Sequence, residues 1–140
     1  MPACCRGADY LCMCGTHRYA VRPRVGVPGN DDFGTMSAWA VFASLGLYPM
    51  PGTTQSFLGS PVFPSAVVRP FSATATTLLG PLTITAHGAA PGAVYVDRAA
   101  VNGQPVDLAA APFVDHSSIA RAGGATLEFW MTAEEPTYRY

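Results

Sequence analysis

The stretch Pro28-Gly29-Asn30-Asp31-Asp32-Phe33-Gly34 sets two adjacent carboxylates beside an amide, directly before a run that contains neither charge nor proline. Carboxylates are the groups that act as general bases toward water or hold hard cations through oxygen. A helix starting just after them presents unpaired N–H groups and a partial positive charge, which draws anionic side chains to that end. The same placement serves plain N-capping, with Asp32 or a neighbour satisfying backbone donors. The pattern alone leaves both readings open.

Cys4, Cys5, Cys12, Cys14 and His17 supply the thiols and imidazole that zinc prefers. Their order, a Cys-Cys pair followed by Cys-x-Cys, is not that of paired C-x2-C knuckles, so an irregular leader without metal is the plainer reading. His87 closes an expected strand and His116 sits in Val114-Asp115-His116-Ser117-Ser118. Neither has an acid-base partner nearby in the sequence, and both read as hydrogen-bonded structural residues. Trp39 lies in an apolar run and reads as core, with stacking on a sugar ring as the alternative; Trp130 reads as packing within a terminal strand. Ser37, Ser60 and Ser118 lack the G-x-S-x-G setting of a serine nucleophile.

The elements that must position these groups are of two kinds. Residues 35–46 (TMSAWAVFASLG) hold good helix formers with apolar residues all round, the pattern of a helix buried on every side. Gly46 offers a left-handed exit, and Pro49 and Pro51 prevent continuation. From Gln55 onward the texture turns to short β-prone runs separated by Gly and Pro, and strands are expected near residues 56–58, 66–71, 82–86, 95–101, 104–108 and 126–131. Asn102-Gly103 supplies the two positive-φ positions of a type I′ hairpin turn.

Composition narrows the class. With 140 residues the chain makes at most one ordinary domain; hydrophobic residues are 49% and charged residues 12%. So thin a charge supply favours either an unusually buried sheet or a piece of a larger protein. The formal net charge is −1 and every basic residue is Arg, which is no nucleic-acid footprint. No apolar run reaches the roughly 18 to 20 residues needed to span a bilayer, so no membrane partner is expected. The first fifteen residues also lack the pattern of a secretory signal. Residues 1–24 carry four Arg against one Asp and all four Cys, and differ in kind from residues 25–140.

Three separated strings then agree in order and spacing: Asn30-Asp31-Asp32-Phe33-Gly34-Thr35-Met36-Ser37-Ala38-Trp39, Leu45-Gly46-Leu47-Tyr48-Pro49 and Gly59-Ser60-Pro61-Val62-Phe63. With the later runs Leu82-Thr83-Ile84-Thr85-Ala86, Val101-Asn102-Gly103-Gln104-Pro105 and Gly123-Gly124-Ala125-Thr126-Leu127-Glu128-Phe129, they resemble the C-terminal segment of family 92 of the glycoside hydrolases, the calcium-dependent α-mannosidases. The resemblance spans about residues 26–132. It implies a chain that is mainly β with one buried helix, the C-terminal remnant of an (α/α)6-barrel glycosidase plus its terminal β-strands. Residues 1–24 would be an irregular leader outside the family domain, 25–54 the acidic catalytic-type loop and last barrel helix, and 55–140 a C-terminal β-strand module.

The resemblance further implies an inverting, exo-acting hydrolase of terminal α-linked mannose in N-glycans or mannan. Inversion needs one carboxylic acid to protonate the leaving oxygen and a second carboxylate to activate water on the opposite face. The family's base maps to Asp32, with Asp31 as orienter or alternative base and Gly29 and Asn30 as loop or substrate support. Calcium is the implied cofactor; one loop cannot supply its six to eight oxygens, so Asn30 and Asp31 would contribute only part of the shell. The family's general acid is an upstream Glu, whereas the first Glu here is Glu128, and Glu134 and Glu135 lie in the tail. The expectation is a fragment that lacks the N-terminal β-sandwich, the other barrel portions and the acid, and that does not hydrolyse mannosides alone. Family members act in the periplasm or outside the cell. The alternative is a non-catalytic β-sheet accessory or carbohydrate-binding module. A fragment would leave Trp39, Val41, Phe42 and Leu45 incompletely covered, whereas a module would hide the aromatics of its helix.

Overall fold

The computed structural model describes residues 32–72 and 77–136, and the chain divides into two compact units, Met1–Val41 and Phe42–Tyr140. The described part of the first unit is a single 3-10 turn, Asp32–Gly34, and the beginning of helix α1, Thr35–Ser44, which runs across the division. Helix α1 ends with a tightened last turn: the N–H groups of Leu45 and Gly46 donate to the carbonyls of Phe42 and Ala43, at 3.0 Å each. Gly46 then turns the chain at φ +77°, and a Cβ there would stand 2.9 Å from the carbonyl oxygen of Gly59. Only glycine meets both demands.

The second unit is a sheet structure. Its strands are β1 (Leu47–Pro49), β2 (Gln55–Leu58), β3 (Ser65–Val68), β4 (Phe71–Ser72), β5 (Thr77–Leu78), β6 (Leu82–His87), β7 (Tyr95–Val101), β8 (Gln104–Val106), β9 (Phe113–Asp115) and β10 (Ala125–Thr132), with a single-turn helix α2 (His116–Ile119) before the last. A five-stranded sheet has the order β3-β6-β10-β7-β8, a three-stranded sheet the order β1-β2-β9, and β4 and β5 pair as a ribbon. Every pairing is antiparallel except β6 with β10, which is parallel.

Period-two alternation builds the core. Leu82, Ile84 and Ala86 on β6 and Ala125, Leu127 and Phe129 on β10 all face inward, joined by Leu47 of β1, Val114 of β9 and Ile119 of α2. Both sheets therefore share one apolar interior. Leu127 and Phe129 are wholly buried, and each such side chain contributes roughly 1.5–3 kcal/mol relative to exposure. The parallel pair begins where two glycine segments meet: a Cβ on Gly80 would lie 2.1 Å from the Gly124 nitrogen and 2.7 Å from the Ala122 carbonyl oxygen. Hydrogen bonds from Gly80 N and Gly124 N to the Arg121 carbonyl, and from Ala125 N to that of Pro81, fix the register there.

The expected strands all form, 95–101 with the bounds expected and the others with shifted bounds. Residues 66–71 split into β3 and β4 because Pro70 offers no donor, its carbonyl instead accepting from Leu79 N at 2.9 Å. β8 stops at Val106 because the Asp107 carboxylate takes hydrogen bonds from the N–H groups of Ala109 and Ala110. Asn102 and Gly103 adopt φ values of 50° and 78°, as the hairpin turn between β7 and β8 requires. β1, β5, β9 and α2 are additions.

One expectation is overturned. The sequence pattern predicts a helix buried on all sides, yet no residue of α1 is buried. Trp39 is 37%, Val41 60% and Phe42 41% exposed. The reason is geometric: a helix without a polar face has more apolar surface than the described residues cover. Among those residues, no helix is long and apolar enough to cross a membrane.

Candidate active site

Asp32 opens the 3-10 turn and is exposed, so its carboxylate stands in solvent directly ahead of α1. The hydroxyl of Thr35 donates to the Asp32 carbonyl at 2.7 Å, which pins the turn to the start of the helix. Between them the backbone is unusual. Phe33 takes φ 59°, ψ 28° and Gly34 follows at φ 83°, so two successive residues are left-handed. For a residue with a Cβ this costs roughly 1–2 kcal/mol, and such conformations concentrate at ligand clamps and active sites. The Phe33 ring is fully exposed.

Of the other residues read as site candidates, Gly29, Asn30 and Asp31 lie outside the described residues, as do Cys4, Cys5, Cys12, Cys14 and His17. Among the described residues no three His, Cys, Asp or Glu side chains gather as a metal site. Asp32 contributes one carboxylate where calcium takes six to eight oxygens, so the described residues do not by themselves form a calcium site. Glu134 and Glu135 are solvent-exposed in the tail.

The structure also brings together groups that are far apart in the sequence. His87 Nε2 lies 3.0 Å from Glu128 Oε1, and the His87 ring stacks on Trp130 with centroids 4.9 Å apart and planes at 27°. Across the next strand, the Arg98 guanidinium sits 4.6 Å over the Trp130 ring. Register explains the set: Trp130 on β10 is paired with His87 on β6 and with Arg98 on β7, so the three stand in one row on the sheet face away from the core. His87 thus does have an acidic partner, contrary to its sequence reading, because parallel pairing joins residues that local spacing cannot connect. His116 is exposed, and the bonds it makes are those of its backbone: its N–H donates to the Thr54 carbonyl at 2.7 Å and its carbonyl accepts from Ala120. The Ser60 hydroxyl is committed to the Val94 carbonyl at 2.6 Å.

The sequence profile of the glycosyl hydrolase family 92 catalytic domain matches residues 9–133. The chain belongs to glycosyl hydrolase family 92. It is 31% identical, over 114 residues, to an uncharacterized secreted glycosidase of Arthroderma benhamiae, a match covering 81% of this chain and 14% of that protein. Its fold aligns with a family GH92 alpha-mannosidase of Bacteroides thetaiotaomicron at a TM-score of 0.62 and 31% identity, over 79% of this chain and 14% of that one. An inverting GH92 mannosidase of the same organism aligns at a TM-score of 0.57 and 26% identity, over 76% and 13%. This GH92 chain therefore spans about a seventh of the length of these relatives, in a family of glycoside hydrolases.

Proposed function

We propose that this chain is the C-terminal part of an inverting, exo-acting α-mannosidase that removes terminal α-linked mannose from N-glycans or mannan outside the cell, and that Asp32 is its general base. One observation carries the reading: Asp32 projects into solvent from a strained turn directly ahead of α1, at the position to which the resemblance maps the family's base. The left-handed Phe33 and the uncovered apolar surface of α1 support the fragment reading over a self-contained module, which would hide its helix aromatics.

In this scheme the Asp32 carboxylate accepts a proton from water as that water attacks the anomeric carbon. A carboxylic acid on the opposite side, about 6.5–9.5 Å away, protonates the departing oxygen. That acid is not in this chain, whose first Glu is Glu128 on β10. Asp31 orients Asp32 or the water, Gly29 and Asn30 shape the loop, and the remaining barrel and β-sandwich portions supply the acid and the sugar pocket. Calcium is part of the proposal; Asn30 and Asp31 would lend it oxygens, the rest of the shell coming from those portions.

The test has two parts. The 140-residue chain incubated with an aryl α-mannoside and calcium is expected to release no phenol; turnover would overturn the missing-acid reading. Grafted in place of the equivalent segment of a family 92 mannosidase, the chain is expected to sustain hydrolysis, and Asp32→Asn to lower kcat by about 10²–10⁴. Undiminished kcat in that variant, with loss only in Asp31→Asn, would move the base to Asp31.

A further inference from the structure

Asn102 follows strand β7, and its side chain bonds in two directions. Oδ1 accepts from Thr126 N at 3.0 Å, and Nδ2 donates to the Ser118 carbonyl at 2.9 Å. The Asn102 backbone N–H donates to the Thr126 carbonyl at 2.9 Å, so these two residues are joined twice. Register explains the arrangement. The last ladder pair of β7 with β10 is Val101 with Leu127, and Asn102, at φ 50°, has already left the extended conformation. Its side-chain oxygen takes the Thr126 N–H in place of its backbone carbonyl. Ser118 belongs to the single-turn helix α2, whose last carbonyls have no intrahelical donor. One half-buried side chain thus ties the β7–β8 turn to both β10 and α2.

The same residue precedes Gly103, whereas the other asparagine of the sequence, Asn30, precedes Asp31. Asparagine is thermolabile because the backbone nitrogen of the next residue can attack its side-chain carbonyl carbon. Glycine, without a Cβ, hinders that attack least. Base removes the Gly103 N–H proton, the nitrogen bonds to Asn102 Cγ, and the Cγ–Nδ2 bond breaks as ammonia leaves with a proton from water. Water then opens the cyclic imide at one carbonyl to give aspartate, or at the other to give isoaspartate. Water is the only co-reactant. Gly103 is exposed, and an added Cβ there would meet nothing within 4 Å, so solvent reaches the turn. What the fold restrains is Cγ. Both polar atoms bonded to it are held, one by Thr126 and one by Ser118, and the ring cannot close until those bonds release.

We propose that Asn102 is a deamidation site that the folded chain keeps closed, and that its conversion follows opening of the β7–β8 turn. The product then reinforces the opening. A carboxylate has no donor for the Ser118 carbonyl, so an acceptor would face an acceptor at 2.9 Å. Isoaspartate also inserts a side-chain methylene into a turn of two residues, which disturbs the register of β7 with β8. β8 is an edge strand of the five-stranded sheet, and it is the element released. None of this depends on Asp32 or on the hydrolysis of mannosides.

The whole 140-residue chain would be held in mildly alkaline buffer, with and without urea, and digested with trypsin at intervals. Cleavage after Arg98 and Arg121 releases Asn102 in residues 99–121, apart from Asn30, and mass spectrometry follows the change of amide to acid. In urea Asn102 is expected to convert well ahead of Asn30. In buffer alone its rate is expected to fall roughly thirtyfold, the factor equivalent to about 2 kcal/mol for two hydrogen bonds. Hydrogen exchange reads the consequence on the folded chain. In Asn102→Asp the Gln104 and Val106 amides of β8 are expected to exchange faster, while the Phe129 amide in the middle of β10 stays protected. Equal conversion with and without urea, no conversion in urea, or unchanged β8 exchange in Asn102→Asp would each overturn the proposal.

Discussion

Helix α1 and strand β10 are both rich in large apolar side chains, and only one of them is buried. On β10 the apolar residues alternate with Thr126, Glu128 and Trp130, so that one face meets the core and the other faces outward. On α1 they run round the whole cylinder, and no residue of it is buried. The contrast separates two kinds of information in a sequence. Alternation states which face is covered and, through strand register, by what. Uniform apolarity states only that cover is needed.

The sharpest way to break this comparison is to truncate one large ring in each region. Phe129→Ala empties a fully buried site and is expected to cost about 3–5 kcal/mol in chemical denaturation. Trp39→Ala, at a site 37% exposed, is expected to cost under about 1 kcal/mol in the same chain. If the two losses were comparable, α1 would be as well packed as the sheet and the self-contained module would be the better reading. Grafted into a full-length family 92 enzyme, the same Trp39→Ala is expected to become costly, because the proposed cover would then be present.

A second substitution sharpens what holds the packed region together. Gly80→Ala would drive a methyl group into the backbone of Gly124, which has no flexible end to yield. A loss of about 3 kcal/mol is expected, the upper part of the usual overpacking range. Gly123→Ala, where an added Cβ meets nothing within 4 Å, is the control and should change the midpoint little. Equal effects would show that the close approach of the two glycine segments does not set the start of the parallel pair.

How far the sequence reveals this rests on the same distinction. Strands β6, β7 and β10 are legible because six to eight residues of pattern are enough to show a period, and the Asn102-Gly103 turn is legible because few dipeptides tolerate two left-handed residues. β1 and β9 are not: each is three residues long, β1 includes Pro49, and both exist because β2 lies between them. Asp32 is legible as a carboxylate ahead of a helix. The left-handed Phe33 beside it is not, since phenylalanine carries no signal for that conformation. The row of His87, Trp130 and Arg98, with Glu128 beside it, is invisible in the sequence because it depends on pairings between strands far apart in the chain.

That row gives the smallest expected effect and the finest test of the comparison. His87 and Glu128 are 41% and 34% exposed at the side chain, so water competes for both groups and salt screens them. Exposed contacts of this kind contribute about 0–1 kcal/mol, and Glu128→Gln is expected to fall in that range. Trp130→Ala should cost more than Glu128→Gln, because it removes the ring on which both His87 and Arg98 rest. The double variant then decides whether the row acts as a unit: a combined loss smaller than the two separate losses would show that Glu128 holds His87 chiefly by way of the Trp130 stack. Simple addition would instead make the outer face a set of independent contacts, with stability residing in the interior of the sheet alone.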